Sequence, residues 1–220
     1  MARVGRRVAP LTLDTLDDLP AGCRTCLRWE VAPVDQARAR ADGSASLDKE
    51  SWVSATLLDW GSCGRVLYVD EEPAGYLMYA PPWRVPRSTG FATAPAGADA
   101  VLLTAAHVRP EHRGGGLGRV LVQSMVKDLA QRGVRAVEAY GALGDDVADR
   151  ECLVPAGFLL VVGFKTVRAH PRHPRLRMDL RTAVSWREDV EVALERLLGS
   201  ITPTPLGAHR EQSPPAGSPG

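Results

Sequence analysis

From residue 65 onward, short apolar runs alternate with turn residues in a pattern that reads as sheet. RVLYVD (65–70) and AGYLMYA (74–80) flank EEP, and together they predict a β-hairpin. AVLLTAAHV (100–108) is an almost unbroken apolar run bounded by Asp99 and Pro110, which predicts a central strand buried on both faces. The period then changes. Leu117, Val120, Leu121, Met125, Leu129 and Ala130 recur at helical spacing with Gly133 as a stop, so residues 117–133 predict an amphipathic helix. VRAVEAY (134–140) predicts the next strand, residues 145–156 a short helix, and GFKTVRAH and RLRMDLR two closing strands. Residues 186–199 carry Val190, Ala193, Leu194, Leu197 and Leu198 on one side of an amphipathic helix. Hairpin, strand, helix, strand, helix, strands is the order of an α/β fold with a mixed sheet.

The remaining segments are of two kinds. Residues 35–61 predict helices that cover one side of the sheet, with SLDKE (46–50) resembling a capped helix start. Residues 80–99, with four prolines, predict a long excursion that carries Trp83 and Phe91. The last stretch, 199–220, is rich in Pro, Gly and Ser and too poor in large apolar residues to offset its ordering entropy, so it predicts a disordered tail. The first few residues are expected to fray. There is no internal repeat.

Composition narrows the classes. The 220 residues are 45% hydrophobic and 24% charged, enough for one domain with a real core. With 27 basic and 26 acidic residues the net charge is +1, which gives no reason to expect nucleic acid or an acidic surface as partner. No run of 18 apolar residues exists, so no membrane span is expected. MARVGRRVAPLTL is basic, but its apolar part is short and Asp14 follows at once, so a secretory signal is not expected. Four cysteines are not a disulfide framework in a chain of this length. The expectation is a cytoplasmic protein with reduced thiols.

The candidate chemistry lies in RPEHRGGGLGRVLVQSM (109–125). A strand, a glycine-rich turn and a helix N-terminus make an anion site: the first helical amides lack internal partners, and the macrodipole favours negative charge there. Glycines let the backbone come close to a phosphate. Arg113 and Arg119 bracket the turn and can add charge-assisted contacts. The reading is a diphosphate cradle; a merely flexible loop is the alternative. Two common phosphate loops do not fit. A nucleotide P-loop needs Lys followed by Ser or Thr, and a dinucleotide fingerprint begun at Gly114 or Gly116 fails because position 119 is Arg.

HVRPEHRGGGLGRVLVQ resembles the acetyl-CoA-binding motif of the GNAT family of N-acetyltransferases. Val108-Arg109-Pro110 stands where that family has V-x-P, and residues 113–118 (RGGGLG) where it has [QR]-x-x-G-x-[GA] opening a helix. AGFLLVVGFKTVR resembles the family's final motif, an apolar helix end leading into Gly-Phe and a strand. The likeness runs from the hairpin to about residue 181. It implies a GNAT fold: a mixed central β-sheet split between two parallel strands, here 100–108 and 134–140, with flanking helices. It implies a single N-acetyltransferase-like domain over 1–198 with its core at 65–181. It also implies an acyl-CoA-dependent N-acyltransferase, with acetyl-CoA as co-substrate, an unidentified amine as acceptor and no metal. Backbone of Ala106, His107 and Val108 would hold pantetheine and polarise the thioester. Amides of Arg113, Gly114, Gly115, Gly116, Leu117, Gly118 and Arg119 would hold the pyrophosphate. A homodimer is compatible with this reading.

The family pattern breaks at the proton donor. Many members place an Asn on the late helix and a Tyr seven residues on, near the CoA sulfur; counting back from Gly163-Phe164, those positions hold Cys152 and Leu159. Leu cannot donate a proton. The candidate bases are Glu138 and Tyr140, which share a strand face with Val134 and Ala136. The alternative is that Glu138 pairs with an Arg and Tyr140 is core. His107 titrates in the useful range but is more readily a structural histidine. The missing Tyr leaves a second class open, an acyl-CoA-binding regulatory or scaffold module.

Cys23 and Cys26 form C-x-x-C without the second close pair that a structural zinc site needs, and without a thioredoxin-like context. Reduced structural or reactive thiols, a metal site in a zinc-stabilised interaction protein, and redox control all stay open. The pair followed by Trp29-Glu30 resembles an actinobacterial branch of the family. Trp29, Trp52, Trp60 and Trp83 either line an acceptor pocket or pack, and packing is expected for most of them.

Overall fold

A computed structural model describes residues 5–144 and 153–181. The predicted short helix over 145–156 falls largely outside them, as do Cys152, the helix at 186–199, the tail and the extreme N-terminus. Eight strands are described: β1 (Arg6–Pro10), β2 (Gly64–Val69), β3 (Glu72–Ala80), β4 (Ala100–Val108), β5 (Ala136–Ala142), β6 (Val154–Pro155), β7 (Lys165–Arg168) and β8 (Arg175–Asp179). They form one mixed sheet in the order β1-β2-β3-β4-β5-β8-β7, with β6 beside the end of β5. Every neighbouring pair along that path is antiparallel except β4–β5.

The hairpin turns one residue earlier than EEP suggests. Val69 faces Glu72, and both loop residues have positive φ, 49° at Asp70 and 66° at Glu71, the signature of a two-residue type I′ turn. Neither is glycine. The strain is held by β1, the strand the sequence pattern misses: Gly5 N–H donates to Asp70 Oδ1 at 2.8 Å, and Asp70 N–H to the Gly5 carbonyl at 2.9 Å.

Six helices are described: α1 (Leu13–Leu16), α2 (Ala21–Arg24), α3 (Pro33–Asp42), α4 (Ala45–Trp60), α5 (Leu117–Gln131) and α6 (Ala156–Val161). The N-cap of α4 is Ser44, two residues before the SLDKE start, and its hydroxyl lies 3.0 Å from Asp48 Oδ2. Helix α5 ends in a Schellman motif. Gly133 N–H donates to the Ala130 carbonyl and Val134 N–H to that of Leu129, both at 3.0 Å. That use of the Val134 amide explains why β5 begins at Ala136 rather than at 134. Helix α6 closes identically, Gly163 onto Leu160 and Phe164 onto Leu159. The Gly-Phe pair of the final motif is therefore a helix stop that buries Phe164.

The sheet separates two apolar cores. On one face Leu117, Leu121, Met125 and Leu129 of α5 pack against Leu77, Leu103 and Val137. On the other, Trp29 from the turn between α2 and α3, and Trp52 and Val53 of α4, pack on Tyr76, Met78, Leu102 and Tyr140. The excursion at 80–99 belongs to that second core: Trp52 Nε1 donates to the Arg84 carbonyl at 2.8 Å, and Phe91 stacks on Tyr140. Trp83 is 63% exposed and Trp60 packs at the edge of the first core; Trp29 and Trp52 are buried.

Candidate active site

The parallel pair β4–β5 is short. Ala100, Val101 and Leu102 face Ala136, Val137 and Glu138, and there the pairing stops. Beyond Leu102, β4 has no strand on that side among the described residues, while β5 goes on to pair with β6 through Gly141 and Ala142. The divergence coincides with a bulge. Met78 faces Ala105 and Tyr79 faces Leu103, so Thr104 is one residue too many; its hydroxyl caps the Met78 carbonyl at 3.1 Å. A bulge bends its strand, and this one turns residues 105–108 away from β5. On the opposite side β3 crosses very close. A Cβ on Gly75 would lie 2.6 Å from the His107 carbonyl, so only glycine lets the two backbones pair there. The sequence predicts β4 buried on both faces; it is so only through Thr104, and its last four residues are half-exposed along the split.

At the end of β4 the chain makes one 3₁₀ turn, Pro110–His112, and enters the glycine loop. Gly114 and Gly116 have φ of 80° and 75°, a region open to glycine at little cost. Arg119 and Val120 amides already donate to the Gly116 carbonyl. Those of residues 114–118 have no acceptor among the described residues, and they sit at the positive end of α5, a 15-residue helix. Arg113 Nε donates to the Val108 carbonyl at 2.9 Å and Arg119 Nη2 to that of Val161 at 3.1 Å. The two arginines thus tie the loop to β4 and to α6.

Split and loop form one cleft of about 650 Å³. Ala106, His107, Val108, Arg113, Gly114, Gly116, Leu117, Gly118 and Arg119 border it; Gly115 alone of the predicted cradle does not. Phe158, Val161 and Val162 of the α6 region complete an apolar wall. Leu159, at the family's tyrosine position, is 0% exposed and points into the α5-side core. The predicted bases are not on the cleft wall. Glu138 is 3% exposed; it accepts from Arg175 Nη1 at 2.9 Å, Arg177 Nη1 at 3.2 Å and the Gly97 amide at 3.1 Å. Tyr140 is 2% exposed, with its ring 4.3 Å from Phe91 and 6.3 Å from Trp29. The alternative reading of this pair, an ion pair and a core aromatic, is what the geometry supports.

A different pair of titratable groups does reach the cleft. Tyr76 faces His107 across β3 and β4, so both side chains share the face covered by the N-terminal helices; their rings stack with centroids 5.9 Å apart. Both border the cleft. Burial pushes the His107 imidazole below its usual pKa, and the nearby Arg113 and Arg109 push it the same way, so the ring is neutral at neutral pH. Burial pushes the Tyr76 phenol far above its ordinary range, and Cys23, which packs against the same core cluster, pushes it the same way. Sequence reasoning missed Tyr76, because nothing local shows that a hairpin tyrosine pairs with the last turn of a strand thirty-one residues on. No group of three or more His, Cys, Asp or Glu that could hold a metal occurs among the described residues. No helix among them is long and apolar enough to cross a membrane.

Comparison with known proteins gives three findings. A sequence model of the acetyltransferase (GNAT) family matches residues 21–152. No curated protein matches. Among solved structures, the fold resembles the paia N-acetyltransferase of Thermoplasma acidophilum in complex with coenzyme A. The TM-score is 0.52 at 12% identity, over 80% of this chain and 99% of that one. An acetyltransferase of Thermus thermophilus aligns with TM-score 0.46 at 19% identity, over 79% of this chain and 96% of the other. A GNAT family acetyltransferase of Brucella melitensis in complex with acetyl-CoA aligns with TM-score 0.44 at 15% identity, over 80% and 88%.

Proposed function

This chain belongs to the acetyltransferase (GNAT) family, and from that premise we propose that it moves an acetyl group from acetyl-CoA to an amine by direct attack. The observation that carries the reading is the joining of two unsatisfied backbone surfaces in one cleft. The open β4 edge at residues 105–108 suits an extended pantetheine, and five consecutive amides without acceptors suit a pyrophosphate. The resemblance of the fold to a protein solved with coenzyme A supports the same ligand.

In this reading the amine attacks the thioester carbonyl, the C–N bond forms, and a backbone amide of β4 stabilises the developing oxyanion. The C–S bond then breaks and the thiolate leaves. Neutral His107 takes the proton from the attacking amine. The imidazolium so formed returns it to the thiolate, which accounts for a cleft without the family's tyrosine. Tyr76, stacked on the ring, fixes its plane.

The test is calorimetric titration with acetyl-CoA, CoA and desulfo-CoA, followed by thioester turnover with a panel of amines. Micromolar binding of all three, with amine-dependent release of thiol, is expected. Binding without turnover on any amine would leave an acyl-CoA-binding module in place of the enzyme; no binding would refute both.

A further inference from the structure

The C-x-x-C pair lies beside this chemistry, with Cys23 packed against the core cluster that holds Tyr76. Cys23 is the third residue of α2 and Cys26 follows its C-terminus, and the Cys26 amide donates to the Cys23 carbonyl at 3.4 Å. A turn closed from i+3 to i holds its end Cα atoms within about 7 Å, the span that a disulfide bridges without backbone movement. The turn is anchored from below: Lys49 Nζ donates to the Cys26 carbonyl at 3.0 Å and pairs with Glu30, both charges being buried. It is anchored from above by Pro20, whose carbonyl accepts from the Cys23 and Arg24 amides at 2.7 and 3.1 Å. Both thiols are half-exposed. Cys63, by contrast, is fully buried, and that burial pushes its thiol up to about 12, so it does not compete.

We propose that Cys23 and Cys26 are a thiol–disulfide site for low-molecular-weight disulfides, and that closing the bond repacks Cys23 against the core cluster that holds Tyr76 at the wall of the acyl cleft. The thiolate of one cysteine attacks the small disulfide, forming a mixed disulfide and expelling one small thiol. The thiolate of the other attacks the protein sulfur and expels the second. Two protein thiols are oxidised and one small disulfide is reduced to two thiols, with the two protons passing to them. Once the bond is closed, Cys23 packs differently against the cluster that holds Tyr76, and the face that Tyr76 and His107 present to the acceptor amine changes. The cradle at 113–119 is built from the end of β4 and the start of α5, which the exchange leaves as they are, so CoA binding is spared. The kinetic consequence rests on the transferase reading above; formation of the disulfide does not.

The experiment equilibrates the full chain in glutathione buffers of graded ratio. Peptide mapping then follows the loss of two hydrogens from the 23–26 segment. CoA affinity and amine kinetics are measured on the reduced and oxidised forms. The expected result is a disulfide between Cys23 and Cys26, CoA affinity constant within about twofold, and kcat/KM for the amine lowered about fivefold. Cys26→Ser should keep reduced-form activity and lose all response to oxidant. Tyr76→Phe should form the disulfide yet show no further kinetic change. Absence of the 23–26 bond under oxidising buffer overturns the site. A bond with unaltered amine kinetics overturns the coupling to Tyr76. Failure of both forms to bind CoA is read separately, and it refutes the transferase reading rather than the disulfide.

Discussion

Replacing Glu138 separates a catalytic carboxylate from a structural one. Its two oxygens accept from two arginines and a backbone amide. Arg175 and Arg177 side chains are only 15% and 20% exposed. Arg177 keeps Asp99 and Asp179, but among the described residues Arg175 keeps only the Pro95 carbonyl. Glu138→Ala therefore strands a largely buried cation and orphans the Gly97 amide. Removing one partner of a buried pair costs about 3–5 kcal/mol. For a domain of this size that lowers Tm by roughly 6–20 °C. Glu138→Gln, which keeps an acceptor for Gly97 and one arginine, should lose about half as much. Thermal unfolding followed by circular dichroism gives the stability, and CoA titration at a temperature where each variant is folded gives the site. The expectation is a large Tm loss with CoA affinity unchanged. A variant with native Tm and abolished turnover would refute the structural assignment and restore Glu138 as the base.

Three further outcomes follow from the geometry. Gly116→Glu should weaken CoA binding at least about a hundredfold by placing a carboxylate among the five amides; Gly116→Ala, which meets nothing within 4 Å and bears only the strain of φ 75°, should cost about 1–2 kcal/mol and keep binding, and equal losses in calorimetry for the two would mean that the loop is not the cradle. Leu159→Tyr should overpack the α5-side core by about 1–3 kcal/mol, lowering Tm without raising turnover, and a gain in turnover at unchanged Tm would show that the position faces the cleft. The His107 ring should titrate below the usual histidine value of about 6.5 when its Hε1 signal, assigned by its loss in His107→Gln, is followed by NMR. The folded value lies below the unfolded one, so the neutral ring's contribution to stability is complete above the unfolded pKa and declines as pH falls through it. A midpoint at or above the ordinary value would remove the neutral base.

What the sequence disclosed, it disclosed through strong local pattern. β4 begins and ends where its apolar run does, and α5 starts at the first leucine after the glycines, because a nine-residue apolar run and a four-turn amphipathic helix leave little ambiguity. β1 stayed hidden. RRVAP has neither alternation nor an apolar run, and it is a strand because the hairpin edge offers it partners. Strand alternation puts Glu138 and Tyr140 on one face, but what fills that face comes from afar. The guanidinium groups lie 37 and 39 residues downstream and Phe91 lies 49 upstream, across antiparallel pairings that no local spacing reveals. The same holds for Tyr76 and Cys23, fifty-three residues apart and brought to one core cluster only through the fold.

The three-pair junction of β4 with β5 makes this sheet almost two sheets. A four-stranded meander built from the first half of the chain meets a second group of strands built after residue 135, and apart from three rungs they are joined through side chains rather than a ladder. Units so weakly laddered open separately, each with its own free energy of local unfolding. On the proposed reading, an extended ligand lying along the β4 edge would supply the missing rungs. The substrate would then serve as a strand of the sheet as well as a reactant. Saturating the cleft should slow amide hydrogen exchange in both halves together, including positions far from any ligand atom, and merge two opening events into one.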